Sequence, residues 1–180
     1  MQQVVELALV RRKKVAKRGF AHWPRRLGYA PDTEAKLTDL PDNVLAVLAE
    51  LGPKASLALY DLVLGVRDLG PGERFSYLDA KAKVEALDAF LFLADQIRFE
   101  MMRRLGWVKG LPCEEYCLVD LALNQRRIKD AFQPSVPDLC PTYHGYEKLE
   151  RQFAVEPAAV VRSLISEALE AFKSRLRQGE

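Results

Sequence analysis

No stretch of the chain approaches the roughly 18 unbroken apolar residues that a membrane-spanning helix needs. The opening segment also lacks the order of a secretory signal. Its apolar stretch, Val4 to Val10, contains Glu6, and the positive charge follows it instead of preceding it. These two absences lead to the expectation of a cytoplasmic protein. Cysteine is sparse, and in a reducing compartment three thiols do not make a disulfide framework. Asn, Ser and Thr are scarce, nothing repeats at a solenoid period, and no segment alternates apolar and polar residues as a half-buried strand does. Catalytic signatures are missing as well. There is no phosphate-cradling glycine loop, no Gly-x-Ser-x-Gly elbow and no Glu-x-x-His pair of a di-iron bundle, and only His22 and His144 are available as imidazole bases. The sequence therefore leans away from an enzyme.

What is present favours helix. Hydrophobic residues make up 49% and charged residues 29% of the chain, with Ala, Leu, Arg and Glu plentiful. At 180 residues the chain is long enough for one domain, 1–180, with a core of its own. Helical periodicity runs from Val4 to Arg18, stopped by Gly19, then over 43–51 and from Pro53 to about Leu69. The longest helix is expected over about 77–107, opened by a capping box at Ser76 to Asp79 and apolar on most of its circumference, which places it centrally. Further helices are expected over about 113–132, 143–153 and from Pro157 onward, where Val161, Leu164, Ile165, Ala168, Leu169 and Phe172 form one stripe. The architecture these segments predict is all-α, a single-domain bundle of about five to seven helices.

A small net charge of +2 conceals a polarised chain. Residues 1–30 hold eight Lys/Arg against Glu6 alone, so the remaining 31–180 form an acidic body. A basic end of this kind either docks on its own acidic body or is offered to an anionic partner. Arg11, Arg12, Lys13, Lys14, Lys17 and Arg18, followed by Phe20, His22, Trp23, Arg25 and Arg26, interleave cations with flat rings. Phosphates attract such charges and unstacked bases lie on such rings, so nucleic acid is the favoured partner, with a partner protein or an anionic membrane surface as alternatives. Part of the run also complements the dipole at a helix C-terminus.

All three cysteines and one histidine fall between 113 and 144, as Cys113-x3-Cys117 and Cys140-x3-His144. Three thiolates and an imidazole suit zinc, or an iron–sulfur cluster, and on a helix Cys113 and Cys117 share a face. The competing reading makes them core residues, since free cysteine is among the most buried residue types. On the long helix Glu85, Asp88 and Asp95 raise a third possibility, a Mg²⁺-dependent enzyme. Lys83 and Arg98 accompany them, as on an ordinary solvated strip.

Overall fold

The computed structural model describes residues 2–111, 113–133 and 136–179, with side chains from Leu7 onward. Ten α-helices dominate these residues: α1 (Gln2–Gly19), α2 (Trp23–Leu27), α3 (Asp42–Glu50), α4 (Pro53–Gly65), α5 (Ala80–Arg104), α6 (Leu118–Leu123), α7 (Gln125–Ala131), α8 (Tyr146–Val155), α9 (Pro157–Ser163) and α10 (Ile165–Gln178). Two short 3-10 turns, Leu37–Asp39 and Gly72–Tyr77, join them. The only sheet among the described residues is a ribbon of β1 (Val108–Lys109) and β2 (Asp138–Leu139), antiparallel, with Val108 opposite Leu139. The fold is thus an all-α bundle with a long central helix, and no described helix is long and apolar enough to cross a membrane.

α5 is the axis, with α3, α4, α6 and α10 packed along it. It begins at Ala80, later than the periodicity suggested, because Ser76 belongs to the 3-10 turn and Asp79 is the cap. The Asp79 carboxylate accepts the Ala82 N–H at 2.9 Å. Phe90, Phe92, Leu93, Ile97, Phe99, Met101 and Met102 are buried, whereas Val84, Leu87 and Leu91 stay exposed as one stripe. The helix is therefore covered on most of its circumference and forms part of the outer wall along that stripe.

The predicted helix over 113–132 is broken. Residues 113–116 form turns, and Cys117 is extended because its backbone bridges Lys36 and the next amide, Leu118 N–H, donates to the Ala35 carbonyl at 2.8 Å. A long-range bridge thus overrides local helix preference, and the helix restarts as α6 and α7 on either side of Asn124. Pro112, read as a helix start, lies outside the described residues. The C-terminal stripe is likewise divided at Leu164 into α9 and α10.

A buried carboxylate holds the two ends of the body together. Glu100 on α5 is fully buried and accepts from Arg103 at 2.7 and 2.8 Å and from Arg104 at 2.6 Å. Arg104 also donates to the carbonyls of Leu40 (2.8 Å) and Leu37 (3.1 Å) and to the Asp42 carboxylate. From α10, Arg175 closes the network by donating to the Arg104 carbonyl at 2.7 Å. Removing one member of a buried pair leaves its partners uncompensated, at about 3–5 kcal/mol. Glu100→Ala is therefore expected to lower the unfolding free energy by about 3–5 kcal/mol in urea titration. A loss under about 1 kcal/mol would show that the network is dispensable.

Candidate polyanion-binding surface

The basic segment is fixed to the body by a crossing of two helices at glycine. A Cβ on Gly65 of α4 would lie 2.6 Å from the Arg18 carbonyl oxygen, and one on Gly19 would lie 2.8 Å from Leu62 Cδ1. Only glycine lets α1 and α4 approach so closely. Beyond the crossing the chain turns into α2, where Trp23 is fully buried and donates from Nε1 to the Ala58 carbonyl at 2.8 Å. Phe20 is buried edge-on against it, with ring centroids 5.0 Å apart. Arg26 is 9% exposed and pairs with the buried Asp61, and its other nitrogen reaches Glu73 at 2.6 Å. Asp61 also accepts the Gly72 N–H at 2.7 Å, so one carboxylate ties α2, α4 and the 72–77 turn together. Burial opposes the charge on Arg26, but its hydrogen bond to Asp61 outweighs that and raises its pKa.

These contacts divide the cations of residues 1–30 into two groups. Arg12 lies 2.8 Å from Glu34 and 2.6 Å from Asp120, and donates to Cys117 Sγ at 3.2 Å. Arg18 meets Asp68 at 3.1 Å. With Arg26 they form the docked group. Arg11, Lys13, Lys14, Lys17 and Arg25 are exposed and make no ion pair among the described residues. Trp23 and Arg26, which the sequence assigned to the binding surface, are instead part of what attaches it, and Phe20 is likewise withdrawn. Neither Phe20 nor Trp23 is therefore available on the exposed cationic surface as a stacking platform. Between α1 and α6 runs a groove of about 440 Å³ with Arg11, Arg12 and Arg18 on its sides and Val15, Val119 and Leu123 among its apolar lining. Ahead of the cations Leu7, Leu9 and Val10 are all exposed, while Ala8 of the same turn lines the groove.

The structure does not bring the four residues of the cysteine and histidine set together. Cys113 and Cys117 are buried, not on one helical face, and Cys117 faces Arg12 and Asp120. Cys140 is partly exposed, with its sulfur 2.9 Å from the Thr142 hydroxyl, and His144 lies 3.2 Å from Glu167 across from α10. Among the described residues no three His, Cys, Asp or Glu side chains are grouped to hold a metal ion. The carboxylates of α5 are similarly separated by cations of their own: Glu85 with Arg126 at 3.9 Å, Asp88 with Lys129 at 2.8 Å and Asp95 with Arg162 at 2.8 Å. The hydrogen bond from Lys129 holds Asp88 below the usual carboxylate range.

Sequence reasoning passed over Arg67, Arg126 and Arg127. The adjacent pair at 126–127 was visible, but its nearness to α1 follows only from the fold, in which Leu123 lines both the α1–α6 groove and a second cleft containing these three arginines. No family model matches this chain, no curated protein matches it in sequence, and no solved structure matches it in fold.

The thiols separate by environment. Burial pushes Cys113 up to about 11 and raises Cys117, whereas the hydrogen bond from Thr142 lowers Cys140. Titration of the native protein with a disulfide reagent near pH 8 is expected to label Cys140 promptly, and Cys113 and Cys117 only on unfolding. Three thiols equally protected until a chelator is added would instead indicate that they share a metal.

Proposed function

We propose that this chain is a non-catalytic helical binding module whose first helix contacts the phosphate backbone of a nucleic acid. The observation that supports this reading is the division of the basic segment. Arg12, Arg18 and Arg26 are neutralised by the acidic body and orient the helix, while Arg11, Lys13, Lys14, Lys17 and Arg25 are exposed with no ion pair among the described residues. A self-docking role accounts for the first group and leaves the second without a use. Because the rings of Phe20 and Trp23 are buried, the mode of contact is electrostatic and independent of sequence. Such contacts release counterions, so affinity falls steeply with salt. The exposed Leu7, Leu9 and Val10 favour a second reading, in which α1 packs on a partner protein.

Fluorescence anisotropy with a labelled duplex separates the two. Binding is expected at about 50 mM salt, with a log–log salt slope of roughly −3 to −5 for the four or five exposed cations. Lys13→Ala and Lys14→Ala together are expected to flatten that slope by about 2, because each removes one phosphate contact. No binding at low salt, or a slope that these substitutions leave unchanged, would overturn the nucleic-acid reading.

A further inference from the structure

The groove between α1 and α6 has an apolar lining with cations on both sides of it. Val66, just past α4, and Val119 of α6 are buried at its bottom, while Ala8, Val15 and Leu123 keep apolar surface open to solvent. Leu123 is 42% exposed although its helix packs against α5. Leu7, one turn before Arg11 on the same side of α1, is 69% exposed. Apolar side chains gathered around a concavity mark an interaction site, whereas the same residues scattered singly do not.

The two sides set the charge of what enters. On α1, Arg12 and Arg18 are paired with Asp120 and Asp68, but Arg11 is exposed with no ion pair among the described residues. Past Leu123 a second cleft holds Arg67, Arg126 and Arg127. Arg126 stands 3.9 Å from Glu85, and Arg127 is exposed with no ion pair among the described residues. An occupant lying along the groove thus passes between Arg11 on one side and the 126–127 pair on the other. It matches the walls by turning apolar groups inward and carboxylates to both sides. A nucleic-acid strand answers the arginines and leaves the apolar lining without a partner. A flat bilayer does not follow the concavity.

The lining comes from α1, the end of α4 and α6, so the groove offers side chains and no strand edge to extend. From Ala8 to Arg18 it follows α1 for about 15 Å, at about 1.5 Å per residue, which is close to three turns of a second helix. We propose that this groove docks an acidic amphipathic helix of a partner protein. The proposal goes beyond the nucleic-acid reading and does not rest on it. At about 100° per residue, Lys13 and Lys17 lie on the side of α1 roughly opposite Ala8 and Val15.

Fluorescence anisotropy of the full chain with a labelled synthetic peptide tests the groove. The peptide is a helix of about four turns with leucines at i, i+3, i+4 and i+7 and glutamates beside them. Saturable binding is expected. Versions with serine for each leucine, or lysine for each glutamate, are expected to bind at least about tenfold more weakly. Leu123→Asp, at an exposed position, is expected to weaken the acidic peptide about tenfold or more with an unchanged circular dichroism spectrum. Arg11→Glu with Arg127→Glu is expected to reverse the preference in favour of the lysine peptide. Lys13→Ala with Lys14→Ala is expected to leave the acidic peptide within about threefold, so loss of duplex binding and loss of peptide binding are separate results. Equal affinity for the glutamate and lysine peptides overturns the proposal. So does peptide binding that Leu123→Asp leaves unchanged, or no saturable binding up to about 1 mM. Phosphatidylglycerol vesicles that bind through Leu123 when the peptide does not would assign the groove to a lipid surface instead.

Discussion

The placement of the basic segment depends on the carboxylate of Asp61. It is almost wholly buried, yet it accepts from Arg26 of α2 and from the backbone of Gly72, and so it needs both partners to be tolerated in a low-dielectric interior. Arg26 in turn brings α2 down on α4, where Trp23 finds the Ala58 carbonyl. With α2 seated, the Gly19–Gly65 crossing fixes the direction of α1, and the side of the helix carrying Val15 and Ala16 turns inward. The outward cations then have a defined geometry instead of belonging to a loose tail. Acidic groups in the body thus neutralise three arginines of the segment, and Arg11, Lys13, Lys14, Lys17 and Arg25 are left without an ion pair among the described residues.

The same division explains what the sequence revealed and what it hid. The all-α fold and the long central helix were legible because the run over about 77–107 is long, has no helix breaker before Gly106 and is apolar on most of its circumference, and because proline and glycine mark the ends of α1, α3 and α4. The character of Trp23 and Arg26 was not legible. An arginine among other arginines, beside a ring, reads as a phosphate contact, and the residue that makes it a buried anchor stands 35 positions away. Nothing local separates a cation that will be paired in the core from one that will not.

Cys113 and Cys117 show a second kind of limit. Their i, i+4 spacing implies one helical face only if the segment is helical, and the bridge from Cys117 to Lys36 removes that condition. Local pattern described the residue types correctly and the backbone wrongly. The cleft beside Leu123 is a third case, in which Arg67, Arg126 and Arg127 come from two distant stretches. Their proximity exists only once the chain has folded, so no local pattern announces it.

The central claim is that the outward cations of α1, and not the body as a whole, meet the phosphate backbone. Lysine acetylation mapped by mass spectrometry, with and without a saturating duplex, tests it most directly because every exposed lysine reports at once. The account predicts that Lys13, Lys14 and Lys17 become protected while Lys54, Lys81 and Lys148, exposed elsewhere on the bundle, are modified as before. Protection spread evenly over all six, or confined to the body, would contradict it.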